Sequence, residues 1–308
     1  MSPLPPPSSS PLLPRPSPHH AICAHPRRVR PRRSPRRSRA RSPNPASLRR
    51  ERNDRRCRPS ATHPNPVILV HGFTENAYAS WAGLAPILAA QGYCVFAPTL
   101  GTTTGIPWLG ATGNGFSDAA ELDAVVRRVL DATGADRVDL IGHSKGAAIA
   151  RYVANTVAPE SVRSVVGIAA ANTEGEIPGY EQTGAALTAV RDALAAVGIT
   201  TPPLPERDPA FFDALTEGGE TRPGIRYTMI ATPYDTIVTP WDTGFVSAVP
   251  GSEVRNVALP GVCPEDLSDH VSIQYSKNVA QLVLDVLDPH DVRPIRCSPQ
   301  APVVGSTR

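Results

Sequence analysis

The chain has 308 residues, of which 41% are hydrophobic, so it is long enough to bury a core in one large domain or two small ones. Its net charge of +3 hides a segregation, because residues 1–60 hold 16 Arg, no Lys and two acidic residues, whereas the rest holds 15 basic and 26 acidic residues. The acidic body argues against nucleic-acid binding through the folded part.

Residues 1–62 are rich in Pro, Arg and Ser, and we predict that they are disordered because they cannot bury enough apolar surface to offset the entropy of ordering. A solvated tail or an over-extended translation start is the preferred interpretation, and a polyanion-binding arm is the alternative. No apolar stretch of the roughly 7–15 residues of a secretory signal is readable in this segment. No run in the chain approaches the roughly 18 apolar residues that a membrane span needs.

Strands and helices alternate from residue 65 onwards. The sequence predicts strands at 67–70, 92–98, 137–141, 163–170, 225–232 and 254–259, and those at 67–70 and 163–170 are expected to be buried. Apolar residues at helical spacing, with capping signals, predict helices at 81–90, 118–133, 147–154 and 276–287. This alternation predicts an α/β fold with a mainly parallel, doubly wound sheet, whose ligands bind at the carboxyl ends of the strands.

The segment 172–222 interrupts the alternation. It contains Pro-rich breaks and two short predicted helices, at 185–197 and 209–215. We expect it to form a small cap beside the site. The predicted catalytic domain therefore spans 63–300, with this insertion inside it and a short tail at 301–308.

The stretch 138–146 is an apolar strand that ends in Gly-His-Ser-Lys-Gly, and a helix-like run follows it. Gly-x-Ser-x-Gly between a strand and a helix is typical of a nucleophile elbow, a tight turn that holds the serine hydroxyl above the sheet. Gly142 and Gly146 lack Cβ atoms, so the strand and the helix can approach closely around Ser144. The pattern alone can arise by chance in a chain with 23 Gly, but its strand–turn–helix setting favours the catalytic interpretation.

Six stretches form a recognisable pattern by their order and spacing: Pro-Val-Ile-Leu-Val-His-Gly-Phe (66–73), Gly-Tyr-Cys-Val-Phe-Ala (92–97), Glu-Leu-Asp-Ala-Val-Val (121–126), the fifteen residues 132–146, Tyr-Asp-Thr-Ile-Val-Thr-Pro (234–240) and Cys-Pro-Glu-Asp-Leu-Ser-Asp-His (263–270). Through this pattern, residues 65–290 resemble the bacterial class 2 lipases of the α/β-hydrolase superfamily, in particular the actinobacterial secreted lipases. The resemblance implies an α/β-hydrolase fold, a serine esterase or lipase activity, a lipid or small ester as substrate and a secreted location. We also expect contact with a lipid–water interface and a monomer.

The resemblance also assigns an oxyanion hole. In the superfamily, the backbone N–H groups of the residue after His-Gly and of the residue after the nucleophile bind the oxyanion, and here these residues are Phe73 and Lys145. His71, Gly72 and His143 are expected to shape the site. Members usually have Gln where this chain has Lys145, so its side chain is expected to place a positive charge near the site.

Ser144 needs a base within hydrogen-bonding reach, and that base needs an orienting acid. The superfamily order of Ser, acid and His leaves His270 and His290 as candidates for the base. We assign His270, which follows the last strand, because His290 lies beyond the last helix. Asp235 follows the strand at 225–232 and is assigned as the acid. Three acids remain rivals: Asp242, Asp266 and Asp269, of which Asp266 is expected to shape the loop.

Cys263 and Cys297 flank the last helix, and we expect a disulfide between them, in the extracytoplasmic setting that the resemblance implies. Cys94 lies within a predicted strand and is expected to be a buried free thiol, and Cys57 is given no role. No Cys/His spacing indicates zinc, and no phosphate loop or dinucleotide fingerprint is present, so neither a metal nor a cofactor is expected.

Two other functions stay open from the sequence. A thioesterase or acyltransferase would use the same scaffold, because fold does not settle chemistry. A non-catalytic binding protein that has kept the elbow is the alternative from another class.

Overall fold

A computed structural model describes residues 53–172, 192–193, 195–198 and 208–303. Its strands are β1 (Val67–Val70), β2 (Val95–Phe96), β3 (Val138–His143), β4 (Val162–Ile168), β5 (Arg226–Ala231) and β6 (Glu253–Ala258). Its helices are α1 (Ala77–Trp81), α2 (Leu84–Ala90), α3 (Gly115–Thr133), α4 (Lys145–Tyr152), α5 (Pro209–Thr216) and α6 (Lys277–Leu287). A strand lies in each segment where one is predicted, although the strand predicted at 92–98 is limited to Val95–Phe96. The helix predicted at 81–90 begins at Leu84, and a separate helix, α1, ends at Trp81.

The strands form one sheet in the order β2-β1-β3-β4-β5-β6, and each pairing described is parallel. Alternate residues of β1 face opposite layers, because side chains of a strand alternate between the two faces. Ile68 and Val70 belong to the core that contains residues of α3, α4 and α5, whereas Val67 and Leu69 belong to the core that contains residues of α1, α2 and α6. The fold is therefore doubly wound, as predicted. The loops after β1, β3, β5 and β6 begin at the carboxyl ends of these strands.

Helix α3 begins earlier than the sequence predicts. Asn114 is its N-cap, and the Asn114 side chain accepts a hydrogen bond from the Ser117 N–H at 2.8 Å. Asp118, the predicted start, lies in the first turn instead, which leaves its carboxylate available for another partner. Gly134 ends the helix as predicted, with a φ of 74° that suits a residue without Cβ.

Residues 53–62 are attached to the body, so the predicted boundary at 62 has to move to before residue 53. The Asn53 side chain accepts from the Ala97 N–H at 2.8 Å and donates to the Ala97 carbonyl at 3.1 Å, which covers the outer edge of the sheet beside β2. Cys57 forms a disulfide with Cys94, with a Cα–Cα distance of 5.7 Å. The expectation that Cys94 is a free thiol is therefore wrong, because the composition of the N-terminal segment does not show that Cys57 pairs with Cys94.

The insertion at 172–222 lies mostly outside the described residues, and so does most of the helix predicted at 185–197. Its predicted helix at 209–215 is confirmed as α5. None of the helices in the described ranges is long and apolar enough to cross a membrane.

Candidate active site

Ser144 lies in the turn between β3 and α4, with φ 52° and ψ −125°. Such a positive φ is strained for a residue that has a Cβ, and strained backbone often marks functional sites. The turn is fixed on both sides, because the Ser144 N–H donates to the Ile168 carbonyl at 3.0 Å and the Ser144 carbonyl accepts from the Ala171 N–H at 3.2 Å. The structure therefore has the nucleophile elbow that the sequence predicts.

The two glycines of the elbow are required by close backbone approach. A Cβ on Gly142 would lie under 3.0 Å from the backbone of Ala147, and a Cβ on Gly146 would lie under 3.0 Å from the backbone carbonyl of Val70. Backbone atoms cannot move aside as a flexible side chain can. The pattern Gly-x-Ser-x-Gly thus lets α4 start directly beside β1 and β3.

His270 and Asp235 lie together at the same edge of the sheet. His270 Nδ1 is 2.8 Å from Asp235 Oδ2, and both side chains are buried. Asp235 Oδ1 in turn accepts from the N–H groups of Ile237 and Val238, each at 2.8 Å. Since the carboxylate accepts, Nδ1 carries the proton and Nε2 is left as the basic nitrogen of the ring.

The rival acids have other partners. Asp266 is fully buried and accepts from Ser276 Oγ, Asn278 Nδ2 and the Ser268 N–H, at 2.6, 2.7 and 3.0 Å. It therefore shapes the loop that carries His270, as the sequence analysis expects. Asp269 caps a local turn by accepting from Ser272, Asp242 lies in the short turn Trp241–Gly244, and His290 is exposed.

The loop after β1 lies opposite the elbow. Phe73 lines the same cavity as Ser144, and the Phe73 N–H has no acceptor among the described residues. Lys145 is the first residue of α4, so its N–H belongs to the helix N-terminus, where amides favour negative charge. These two amides are the ones that the sequence analysis selects for the oxyanion.

The side chain of Lys145 does not place a free charge in the site. Its Nζ donates to the carbonyls of Ala111 and Gly113, at 2.8 and 2.5 Å, and to Asp118 Oδ2 at 2.7 Å. Burial lowers the pKa of Lys145 and raises that of Asp118. The cation thus lies near the site, as expected, and it ties the loop before α3 to the elbow.

His71 is buried and both its ring nitrogens contact backbone. Nδ1 is 2.9 Å from the Gly72 carbonyl, and Nε2 accepts from the Leu100 N–H at 3.0 Å. One donor and one acceptor match a neutral imidazole, and burial lowers the pKa of His71. Its place is that of a residue which orients the loop carrying Gly72, as expected, rather than that of a base.

Sequence reasoning missed Glu75, three residues after Gly72. Its Oε2 accepts from the Gly72 N–H at 2.8 Å and from Ser80 Oγ at 2.7 Å, and its Oε1 accepts from Gln274 Nε2 at 2.9 Å. Its Oε2 also lies 3.0 Å from His143 Nδ1. No motif marks this residue, because its partners come from three separate parts of the chain.

An apolar cavity of about 360 Å³ opens beside Ser144 and His270. Its described lining is mainly apolar and aromatic and includes Phe73, Ala148, Phe211, Phe212, Ile237 and Val271. Helix α5 supplies two of these side chains, so the part of the insertion that is described forms one wall of the cavity.

A disulfide between Cys263 and Cys297 closes the loop that carries His270, with a Cα–Cα distance of 5.1 Å. This is the pairing that the sequence analysis expects. The disulfide ties the C-terminal residues to the start of the loop. Asp266 and Gln300 also form an isolated parallel β-bridge there.

Residues 65–200 match the α/β-hydrolase fold family. A triacylglycerol lipase of Pseudarthrobacter phenanthrenivorans is 38% identical over 122 residues, which cover 38% of this chain and 36% of that protein. A triacylglycerol lipase of Pseudomonas fragi is 31% identical over 166 residues, or 50% of this chain and 54% of that protein. The chain thus spans about a third to a half of the length of these curated relatives.

Solved structures agree with the fold. The chain is similar to Aspergillus fumigatus lipase B with a TM-score of 0.55 and 18% identity, over 83% of this chain and 59% of that one. It is similar to a Bacillus licheniformis lipase with a TM-score of 0.52 and 15% identity, over 75% of this chain and 94% of that one. At these identities the likeness concerns the fold.

Proposed function

We propose that this chain, which has the α/β-hydrolase fold, is a serine carboxylic ester hydrolase of the lipase and esterase type, related to the bacterial class 2 lipases. The observation that carries the proposal is the convergence at one cavity of a strained Ser144 elbow and a buried His270–Asp235 pair. The triacylglycerol lipases that match part of the chain point to the same reaction.

In this reaction, Ser144 Oγ attacks the ester carbonyl while His270 Nε2 takes its proton. Asp235 holds the protonated Nδ1 side of the ring and stabilises the imidazolium that forms. The C–O bond of the tetrahedral intermediate then breaks, and His270 gives the proton to the leaving alcohol. Water repeats the sequence on the acyl-enzyme, which releases the carboxylic acid and regenerates Ser144.

The oxyanion needs donors that are already in place. The N–H of Phe73 and the N–H of Lys145 supply them from the loop after β1 and from the start of α4. Removing one such donor in a serine hydrolase costs roughly 10²–10³ in kcat. The Lys145 side chain takes no part in this step, because Ala111, Gly113 and Asp118 hold it away.

The substrate that suits this site has an apolar acyl chain. The cavity of about 360 Å³ has aromatic walls from Phe73, Phe211 and Phe212, and burying an acyl chain there stabilises the complex by about 0.8 kcal/mol per CH₂. A lipid or a medium-sized ester fits this lining better than a charged substrate does.

The cysteines support an extracytoplasmic location. The disulfides Cys57–Cys94 and Cys263–Cys297 both persist in an oxidising compartment, whereas a reducing cytosol would keep them open.

A fluorophosphonate probe tests the nucleophile, and an ester panel tests the substrate class. We expect the probe to label Ser144 in the wild-type protein and no residue in Ser144→Ala. We expect p-nitrophenyl esters of increasing acyl length to be hydrolysed, with and without emulsion, and His270→Ala to lose the activity while it remains folded.

Two results would contradict the proposal. Lack of labelling in the folded protein would favour a binding protein that has kept the elbow. Faster turnover of acyl thioesters than of oxygen esters with the same acyl chain would favour a thioesterase.

A further inference from the structure

His143 is buried directly before the nucleophile, and each of its ring nitrogens faces an oxygen atom. Its Nδ1 is 3.0 Å from Glu75 Oε2, and its Nε2 is 2.9 Å from the backbone carbonyl oxygen of His270. The ring is therefore the physical link between the loop after β1 and the loop that carries the proposed base.

Both partners of this ring are acceptors only. A neutral imidazole donates from one nitrogen and presents a lone pair at the other. A neutral His143 would therefore turn a lone pair towards either the Glu75 carboxylate or the His270 carbonyl, while the ring itself is buried. The imidazolium form alone makes both hydrogen bonds.

Glu75 is built to remain ionised beside this ring. Its oxygens accept from Gly72, Ser80 and Gln274 as well as from His143. Burial by itself would raise the pKa of Glu75, but the charge of His143 and these donors hold the pKa well below its usual range. This carboxylate, which is half-buried, thus supplies the counter-charge that a buried imidazolium needs.

A second negatively charged group near His143 is Asp235. Asp235 lies in the loop after β5, and the His270 ring lies between it and His143, with 5.0 Å between the two ring centroids. Burial would lower the pKa of His143, but Glu75, the His270 carbonyl and Asp235 outweigh burial and raise it.

His71 shows that burial beside this site does not by itself charge a histidine. It is as buried as His143, but its Nδ1 faces the Gly72 carbonyl and its Nε2 faces the Leu100 N–H. One acceptor and one donor satisfy the neutral ring. The two histidines therefore differ in their partners and not in their exposure.

We propose that His143 is a positioning residue for His270: a buried imidazolium, clamped by Glu75, that holds the backbone carbonyl of the base and limits activity at alkaline pH. This rests on the proposed function, in which His270 is the base. When His143 loses its proton, only one of its two hydrogen bonds remains. The remaining N–H stays with the charged Glu75 carboxylate, which is the stronger acceptor, so the backbone carbonyl of His270 is released.

The sign of the pH effect follows from linkage. A histidine whose pKa is raised on folding contributes stability that is fully present below its unfolded pKa of 6.5 and is lost as the pH rises through its folded pKa. We therefore expect kcat/KM to fall on the alkaline side together with the free energy of unfolding.

The first test needs no enzymatic assay. In protein with ¹⁵N-labelled histidine at pH 7.5, we expect both ring nitrogens of His143 to have the chemical shifts of protonated nitrogens, and His71 to have one of each kind. The variants His143→Gln and His71→Gln assign the signals. An unprotonated ring nitrogen in His143 at this pH would overturn the proposal, whether or not the chain hydrolyses esters.

The second test is Glu75→Gln, which keeps an oxygen for Gly72 and Ser80 but removes the charge. We expect the alkaline limb of kcat/KM on a soluble ester to move to lower pH by about one to three units. The control is Asp266→Asn, which changes a buried carboxylate in the loop that carries His270. Asp266 has no contact with His143, so this variant should leave the alkaline limb of kcat/KM in place. If the alkaline limb of kcat/KM stays in place in Glu75→Gln, the proposal is overturned. If that variant does not fold, the ¹⁵N chemical shifts of the His143 ring decide.

Discussion

The two residues beside Ser144 each extend a cationic side chain to a buried carboxylate, yet the two pairs are held differently. His143 bonds to Glu75, which receives three further donors, from Gly72, Ser80 and Gln274. Lys145 bonds to Asp118, whose Oδ1 has no partner among the described residues. The two pairs thus differ in hydrogen bonding and in burial, because the Glu75 side chain is 20% exposed and the Asp118 side chain 1%.

The pKa directions follow this difference. Burial opposes ionisation in all four groups, but charge and hydrogen bonds outweigh it for Glu75, whose pKa is lowered, and for His143, whose pKa is raised. Burial dominates for Asp118, whose pKa is raised, and for Lys145, whose pKa is lowered. In both pairs the charge of the partner and the hydrogen bonds oppose the effect of burial, but they outweigh it only for Glu75 and His143.

The pairs also act on different parts of the site. The His143 pair reaches the backbone of His270 and so bears on the reaction. The Lys145 pair reaches the carbonyls of Ala111 and Gly113, which belong to the loop before α3. We therefore expect damage to the first pair to appear in the kinetics and damage to the second to appear in the stability.

The largest effect we expect is that of Asp235→Asn, which sets the upper limit for any contact that acts through His270. The N–H groups of Ile237 and Val238 select the amide oxygen for the Oδ1 position, so the NH2 group faces His270 Nδ1 and the ring loses its tautomer and orientation. We expect kcat on a soluble short-chain ester to fall by about 10³–10⁴-fold. Asp266→Asn should keep most of the kcat, and the reverse pattern would show that the acid is misassigned.

Breaking the Lys145 pair should have a large effect on stability. Lys145→Met leaves the Asp118 carboxylate buried without its cation, so we expect the free energy of unfolding to fall by about 3–5 kcal/mol in urea titrations at pH 7. The double variant Lys145→Met/Asp118→Asn should recover much of this loss, and kcat should change little because the amide of residue 145 stays in place. If the double variant were no more stable than the single one, the pair would not be the cause.

The two disulfides, Cys57–Cys94 and Cys263–Cys297, can be compared in the same way, because only one of them closes the loop that carries His270. They join residues 37 and 34 positions apart, so removing either should lower the free energy of unfolding by about 4 kcal/mol in the chain-entropy model. Only Cys263→Ser/Cys297→Ser should also lower kcat in the folded protein, because that pair closes the loop of His270. An equal loss of kcat in Cys57→Ser/Cys94→Ser would show that the effect is not local.

The sheet and the reacting residues could be predicted because their signals are local or follow chain order. Apolar runs marked strands of the sheet, and Ser144, Asp235 and His270 each follow a predicted strand. Parallel strands bring these positions to one edge of the sheet, so no long-range contact had to be guessed.

The supporting contacts could not be predicted because each joins distant residues without a motif. His143 is 68 positions from Glu75 and 127 from His270, and a histidine beside a nucleophile does not reveal which atoms its nitrogens face. Cys57 lies in a segment whose composition resembles a solvated tail, so its bond to Cys94 was hidden in the same way.

The smallest effect we expect is that of removing residues 1–52, because both ion pairs and both disulfides lie after residue 52. The truncated protein should keep its kcat on a soluble ester and its free energy of unfolding. A truncation to residue 60 also removes Asn53 and Cys57, so it uncovers the edge at β2 and leaves Cys94 unpaired. It should therefore lose stability by an amount similar to that of the Cys57→Ser/Cys94→Ser variant, while its kcat stays close to that of the full chain. Loss of activity in the shorter truncation would show that residues 1–52 support the site, and equal stability of the two truncations would show that Asn53 and Cys57 do not secure the edge of the sheet.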